Sequence, residues 1–463
     1  MTLQRPLAAR SGRSRLARIL AFDPHILGTL ILRGWSLGAG VLTMLLVPLA
    51  LPKEHQGYYF TFASLIALQV FFELGFNHVI SQIVSHELAL HGQAGTEEAR
   101  QRHAARLQAV SYLTANWYRP MAIAFALIAF GSGTVFFLRQ GVLPWQDWLA
   151  PWLLVCLGSS LNLYVSPLLA VAEGAGRVDR VARMRLIQSI AGYGLMWALL
   201  LAHSRLWAAA AVPCVAGLIS WRWLADRRRL GLPQVLVHPQ ADGAAPASAD
   251  APPALTWRRD VLPLQWRIAL SWVSGYFIFQ AFTPFLFAHQ GAVAAGRAGL
   301  ALAACTAILG LGMSWVNATS PRMSAAIARG DRTELKHIYS RVLVRSLGFT
   351  ALALALLIGA AVAGQHAGMR FAERIADPIT LTCLGLTTLA NCAIGAMAIF
   401  MRCHKEEPML VPSVVMALLT LTSVSWGSTV NAQLPFVLYS AVTLCIALPW
   451  SIAIFLRYWR RPN

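Results

Sequence analysis

Residues 57–85 read GYYFTFASLIALQVFFELGFNHVISQIVS, an apolar run of 29 residues that contains a single acid, Glu73, near its middle. About 20 residues of α-helix cross the hydrocarbon of a bilayer, so the run is long enough to span it. A carboxylate at that depth costs roughly 2.5 to 3.5 kcal/mol on insertion scales. It therefore occurs mostly where it faces a bundle interior or an aqueous cavity, and the run predicts such a surrounding.

Polar side chains recur every fourth residue along this run, which places them on one side of a helix. They are Gln69, Glu73, Asn77 and Ser81. Such a stripe either hydrogen-bonds neighbouring helices together or lines a cavity. We favour the cavity, and predict that Glu73 acts in gating or ion coupling and that Asn77 contacts substrate.

The whole chain repeats this character, with 57% hydrophobic and 12% charged residues in 463. Its apolar residues come in long blocks, which predicts an all-α polytopic membrane protein. The seven cysteines form no CxxC pair, so neither a zinc site nor a disulfide framework is predicted. The first apolar run is too long for a signal-peptide core, and we expect it to be retained.

About twelve spans can be drawn, in two sets of six on either side of an Ala/Pro-rich stretch at residues 231–256. We predict two pseudo-symmetric six-helix lobes around a central cavity. The boundaries expected are a basic tail over 1–25, an N-lobe over 26–224, a linker over 225–263, a C-lobe over 264–456 and a second basic tail over 457–463.

The distribution of Lys and Arg indicates how the chain is oriented in the membrane and whether its positive charge meets lipid or nucleic acid. If the N-terminus is cytoplasmic, that side carries 31 Lys and Arg and the opposite side six. This bias predicts both termini inside, with the net charge of +19 facing anionic inner-leaflet lipid. A nucleic-acid partner is therefore not expected.

The two halves repeat individual residues as well as spans. Arg33 matches Arg267, and Asn162 matches Asn391, at separations of 234 and 229 residues. An even number of spans in each half predicts parallel repeats about an axis along the membrane normal. Both halves also contain a long helical connection, and Asp331 with Glu334 resembles a capping box that opens the second of these.

Two arginines near the cytoplasmic mouth of a cavity would suit a phosphate, because guanidinium binds its oxygens bidentately. Arg33 shares a helical face with Ser36, Gly40 and Thr43, which favours a functional role over snorkelling to the headgroups. Arg267 lies closer to its span end, where the two readings are balanced. Weaker stripes, more typical of helix packing, contain Asn162, Asn317 and Asn391, which we carry as cavity candidates.

The sequence contains no GxxxxGK[ST], GxSxG or HExxH motif, and its predicted outer connections are short. We therefore predict a protein that is not an enzyme. Neither a metal nor a cofactor is expected, apart from a coupling ion such as H⁺ or Na⁺.

The chain resembles the multidrug, oligosaccharidyl-lipid and polysaccharide exporter (MOP) superfamily, in its bacterial O-unit and polysaccharide flippase branch. The resemblance is carried by ILRGWSLGAGV (31–41), QGYYFTFASLIALQVFFELGF (56–76), VAEGAGRV (171–178) and PLQWRIALSWVSGYF (263–277). It implies two six-helix lobes and a polyprenyl-pyrophosphate-linked oligosaccharide as substrate. Arg33 and Arg267 would contact phosphate and Glu73 would serve gating, with lipids and polysaccharide assembly proteins as partners.

Alternatives remain open at this point. An exporter of small amphipathic cations from the same superfamily would need acids in its cavity, and Glu73 is the one convincing mid-membrane acid. A membrane glycosyltransferase, polymerase or ligase is disfavoured by the short outer connections. A non-transporting subunit of a polysaccharide synthase complex is compatible with the same sequence.

Overall fold

The computed structural model describes residues 24–73, 76–226, 262–369, 372–404 and 406–460. Within these ranges the chain is almost entirely helical, and nine helices are long and apolar enough to cross a membrane. One of the nine, Ala269–Ala328, is 60 residues long and supplies two crossings. With the first helix and an interrupted second span, the twelve predicted crossings are accounted for, and the fold class is confirmed.

The N-lobe contains eight helices, because its second crossing is divided into three. Their bounds are α1 Pro24–Ala50, α2 Lys53–Ile66, α3 Val70–Glu73, α4 Phe76–Gln93, α5 Glu97–Gln140, α6 Trp145–Gly174, α7 Val178–Leu201 and α8 Trp207–Ala225. Most of the predicted linker and of the N-terminal basic tail lies outside the described residues. The last helix, given below, continues through residues 457–460 of the predicted second basic tail.

The C-lobe contains seven helices. Their bounds are α9 Leu262–Phe279, α10 Phe282–Ala328, α11 Arg332–His366, α12 Pro378–Arg402, α13 Leu410–Val430, α14 Leu434–Val442 and α15 Leu448–Arg460. A π-helical turn at Thr443–Ala447 joins α14 to α15. We call the end of the bundle at which the linker leaves and rejoins the lobes the linker end, and the opposite end the distal end.

The second crossing differs from the continuous helix that residues 57–85 predicted. After Ile66 the chain tightens into a 3₁₀ turn at Ala67–Gln69, and α3 is only four residues long. Residues 74 and 75 are outside the described part. An apolar run sets the length of a span but not its straightness, since interruptions are tolerated where protein covers the backbone.

The turn between the seventh and eighth crossings is shorter than the sequence predicted. Residues 288–297 read as a connection between two spans, but α10 turns at one residue, Gly291, with φ 85° and ψ 170°. Glycine adopts such positive φ values without the Cβ penalty of other residues. The C-lobe therefore brings two long helical segments together at the distal end without an extended loop.

The predicted cap of the long C-lobe connection is confirmed. The Asp331 carboxylate accepts the backbone N–H of Glu334 at 2.9 Å and starts α11. Thr96 does the same for α5, accepting the N–H of Ala99 at 3.3 Å. Equivalent helices in the two lobes thus begin with equivalent caps, at a point where the first N–H groups of a helix have no internal partner.

Candidate functional site: a cavity between the lobes

The lobes meet at the distal end through backbone-to-backbone packing of α2 on α10. A Cβ built on Gly57 would lie 1.9 Å from the carbonyl oxygen of Ala292. A Cβ on Gly296 would lie 2.8 Å from the backbone nitrogen of Gly57. Small residues permit this close approach of two helices, so the two glycines close the gap between the lobes.

A buried amide adds hydrogen bonds to this contact. Gln56, 1% exposed, donates from Nε2 to the carbonyl oxygens of Gly296 at 2.9 Å and Arg374 at 3.1 Å. Arg374 in turn donates from Nη1 to the carbonyl oxygen of Leu51 at 3.0 Å. Side chains of each lobe therefore satisfy backbone groups of the other, and we call this group of contacts the distal seal.

Two further polar pairs flank the seal. Lys53 Nζ lies 3.0 Å from Glu373 Oε2, with side chains 41% and 54% exposed. Deeper in the interface than Gln56, the hydroxyl oxygens of Ser64 and Thr283 lie 2.8 Å apart, and both residues are buried. The distal seal thus lies between an exposed ion pair at the surface and a buried hydroxyl pair inside.

Beyond the seal, toward the linker end, the lobes separate around a cavity of about 580 Å³. Helices α1, α2, α7 and α8 form one wall, and α9, α10 and the turn between them form the other. The described wall residues include no charged side chain. Its polar groups are hydroxyls, phenols and one amide: Ser36, Thr43, Tyr59, Ser64, Tyr193, Gln280, Thr283 and Thr306.

Small residues keep this cavity open. Gly40 of α1 and Gly310 of α10 both line it, and a Cβ added to either would meet nothing within 4 Å. The face of α1 predicted from Ser36, Gly40 and Thr43 is the face that the structure turns into the cavity. The predicted central cavity is therefore present, with α1 as one of its walls.

The two candidate arginines lie on the linker-end side of this cavity. Arg33 is in α1, three residues before the wall residue Ser36, and Arg267 is in α9, twelve residues before the wall residue Phe279. Their side chains are outside the described part of the chain. Their role in phosphate contact stays a prediction.

Glu73 lies between the lobes but is not among the described residues that line the 580 Å³ cavity. Its Oε1 accepts a hydrogen bond from Nε2 of Gln69, its neighbour on the predicted stripe. Its carbonyl oxygen accepts from the Tyr118 hydroxyl at 3.2 Å. Helix α3 packs on the C-lobe through Phe71, whose ring lies 5.5 Å from that of Tyr276. The acid is thus placed at a second contact between the lobes.

Asn162 and Asn391 occupy matching positions behind the cavity wall. Asn162 in α6 donates from Nδ2 to the carbonyl oxygens of Gly158 at 3.0 Å and Pro213 at 2.8 Å. Asn391 in α12 donates from Nδ2 to the Tyr439 hydroxyl at 3.1 Å. Each amide ties the fourth crossing of its lobe to the sixth, as polar stripes between membrane helices do. Substrate contact by either residue stays a prediction.

Asn77 and Asn317 have different surroundings. Asn77 donates from Nδ2 to Ser166 Oγ at 2.9 Å, within the N-lobe. Its Oδ1 is buried and has no hydrogen-bond partner among the described residues. Asn317 is exposed on α10, two helical turns beyond the wall residue Gly310 toward the linker end. Substrate contact by these residues remains a prediction.

Sequence reasoning did not select the residues of the distal seal or most of the residues of the cavity wall. Gln56, Gly57 and Gly296 were not distinguished from other residues of their spans, although an amide at the start of an apolar run was a usable signal. Tyr59, Tyr193 and Gln280 were missed in the same way. Within the described residues, no three His, Cys, Asp or Glu side chains gather as metal ligands.

Comparison by sequence gives no relatives: no protein-family profile and no curated protein matches the chain. Comparison by structure finds similar solved structures. The lipid II flippase MurJ, in an inward closed conformation, is similar over 94% of this chain and 89% of its own, with 14% identity and a TM-score of 0.60. A multidrug resistance MATE family transporter of the MOP superfamily, in an inward-facing conformation, is similar over 91% and 99%, with 11% identity and a TM-score of 0.56.

A MOP superfamily transporter from Pyrococcus furiosus is similar over 98% of this chain and 100% of its own, with 13% identity and a TM-score of 0.52. Identities this low establish a shared fold and do not carry a substrate. The chain therefore has the fold of MOP superfamily transporters, flippase and drug exporter alike.

Proposed function

We propose that the protein is a flippase that moves a polyprenyl-pyrophosphate-linked oligosaccharide across the inner membrane by alternating access, for O-antigen or exopolysaccharide synthesis. The observation that carries this proposal is the cavity between the lobes, sealed at the distal end and walled by uncharged polar and apolar groups. A hydrophilic glycan cannot cross hydrocarbon unaided, and a polar interior enclosed by helices supplies its path. No covalent bond is made or broken.

The wall chemistry favours this substrate over a cationic drug. A buried cation requires a compensating acid, and the described wall of the cavity has none. Hydroxyls, phenols and an amide match the hydroxyls of a sugar, while Arg33 and Arg267 would meet the pyrophosphate at the linker end. With the termini inside, the sealed distal end faces outward and the cavity receives substrate from the cytoplasmic side.

Energy would come from an ion gradient. Because Glu73 lies where α3 meets α9, a proton or Na⁺ bound there would favour one arrangement of the lobes over the other. Lipids and other polysaccharide assembly proteins are the partners that such a pathway requires.

Reconstitution tests the proposal. Purified protein in liposomes should move a fluorescent polyprenyl-pyrophosphate oligosaccharide from the outer to the inner leaflet, measured by loss of its accessibility to an external lectin. Ethidium loaded into matched liposomes should show no protein-dependent efflux. Ethidium transport without lipid movement would replace the flippase by the drug exporter, and no movement of either would favour the non-transporting subunit.

Arg33→Ala and Glu73→Gln should each abolish surface glycan in a deletion strain while leaving protein in the membrane, because they remove the predicted phosphate contact and coupling acid. The matched control is Arg297→Ala, an exposed arginine at the distal end, which should restore normal glycan. Glycan is measured by gel staining and protein by immunoblot of membranes. Normal glycan in both variants would discard the site assignment.

A further inference from the structure

The C-lobe contains a second cavity, which shares no described lining residue with the transport cavity. It has a volume of about 320 Å³ and lies at the linker end, where the turn between α10 and α11 meets the last residues of α12 and α15. Its charged and aromatic lining consists of Asp331, Arg332, Lys336, Phe400, His404, Tyr458 and Trp459. We call it the basic pocket.

Its two permanent cations, Arg332 and Lys336, both contact Trp459. Arg332 donates from Nη2 to the carbonyl oxygen of Trp459 at 3.1 Å. Lys336 Nζ lies 5.2 Å from the centroid of the Trp459 ring, within cation–π distance. His404 directs Nδ1 to the carbonyl oxygen of Phe400 at 3.0 Å. The pocket thus presents fixed positive groups beside ring faces.

The acids around the pocket are already engaged. Asp331 caps α11 through the N–H of Glu334, and Glu334 itself lies 2.6 Å from Nη2 of Arg329. Glu406 accepts the hydroxyl hydrogen of Tyr458. Two permanent cations, Arg332 and Lys336, line the pocket with one acid, Asp331, so the lining has a net positive charge that suits an anion.

The depth of the pocket indicates the source of that anion. Helices α12 and α15 both belong to membrane-spanning segments, which end at Arg402 and Arg460. Phe400 and Trp459 are in the last turns of these segments, and tryptophan at a span end is typical of the headgroup level. Basic pockets between helices at that level are sites for phosphate headgroups.

We propose that the basic pocket binds the phosphate of an anionic phospholipid, with Arg332 and Lys336 on the phosphate oxygens and the ring of Trp459 against the glycerol. This goes beyond the transport function, since the lining is confined to the C-lobe. Helix α10 lines both cavities, so a bound headgroup would brace the transport wall against α12 and α15.

Native mass spectrometry of the full-length protein tests this, with phosphatidylglycerol as the probe and phosphatidylcholine as the uncharged reference. The double variant Arg332→Gln/Lys336→Gln should bind phosphatidylglycerol about 25-fold more weakly, at about fivefold for each charge. The matched control Arg341→Gln/Arg345→Gln removes two exposed charges of the same helix outside the pocket and should change affinity by less than about twofold.

Equal losses in the two double variants would overturn the proposal, because they would reflect general attraction. Displacement of the lipid by 1 mM inorganic phosphate would overturn the lipid assignment in favour of a soluble phosphate ligand. If the pocket variant does not fold, the single variant Lys336→Gln decides the matter. Phosphatidylglycerol should raise the unfolding temperature of the wild type more than that of this variant, and equal rises would count against the site.

Discussion

Four glycines at the interface between the two lobes fall into two pairs that differ in the space around them. Gly57 and Gly296 stand where α2 and α10 touch, and a Cβ on either would collide with the other lobe's backbone. Gly40 and Gly310 stand farther toward the linker end, and a Cβ on either would meet only open space. The absence of a side chain closes the interface in one place and keeps it open in the other.

This contrast separates two kinds of constraint that the proposed flippase function would impose. At the distal seal, packing is complete, so added volume must displace backbone. In the cavity, the helices leave space beside the glycines, so an added side chain would displace solvent or substrate and not protein atoms. Stability and transport should therefore respond separately to substitution in the two regions.

Gly57→Leu should have the largest effect. Its side chain would force α2 away from α10, at a cost near the upper end of the overpacking range, about 3 kcal/mol. Thermal unfolding and labelling of an introduced Thr283→Cys by a membrane-impermeant maleimide from the distal side both report this. Gly348→Leu, at an exposed glycine with nothing within 4 Å, is the control. Unchanged labelling would mean that this contact does not seal the lobes.

Gly310→Phe and Gly40→Phe should each reduce transport more than about tenfold while shifting unfolding by no more than about 0.5 kcal/mol, as expected for a residue without packed neighbours. Liposome flipping and thermal unfolding measure the two quantities. Gly348→Phe and Gly131→Phe place the same ring at exposed glycines of α11 and α5 and should leave transport intact. Full transport by the cavity variants would show that substrate takes another path.

Gln56→Ala should weaken the seal by about 1 to 3 kcal/mol, because it leaves two carbonyl oxygens without their donor in a buried place. Distal labelling of the Thr283→Cys reporter should rise accordingly. Gln433→Ala is the matched control, because Gln433 donates a side-chain hydrogen bond to Asp377 within the C-lobe and not across the interface. It should leave labelling at the wild-type rate. A rise of the same size in both would remove Gln56 from the seal.

Lys53→Glu should have the smallest effect, below about 1 kcal/mol, because the Lys53–Glu373 pair is exposed and screened by salt. Labelling should increase slightly at low ionic strength and converge with the wild type at high salt. The swapped variant Lys53→Glu/Glu373→Lys should restore the low-salt rate. A salt-independent defect would indicate a role other than charge pairing.

Much of the fold could be predicted because hydropathy depends on local sequence. The crossings, the α1 face at Ser36, Gly40 and Thr43, and the cap at Asp331 all follow from spacing along one helix. The interruption after Ile66 did not, since a 3₁₀ turn within an apolar run leaves no compositional mark. A connection was predicted at residues 288–297, but its reduction to a single residue, Gly291, depends on a backbone conformation that composition does not specify.

The candidate site was harder, because a polar residue inside a span has the same pattern whether it meets substrate or another helix. Asn162 and Asn391 were selected by periodicity, but their neighbours on α8 and α14 give them packing contacts. Gly57 and Gly296 could not be paired from sequence, since 239 positions separate them and each is ordinary in its own helix. Tertiary contact, not spacing, determines such roles.

The paired asparagine links have a mechanical consequence. Since each joins the fourth and sixth crossings inside one lobe, we expect the two crossings of each pair to stay together when the lobes move. Spin labels attached across α6 and α8 should keep one fixed spacing throughout the working cycle, whereas labels across α2 and α10 should alternate between two.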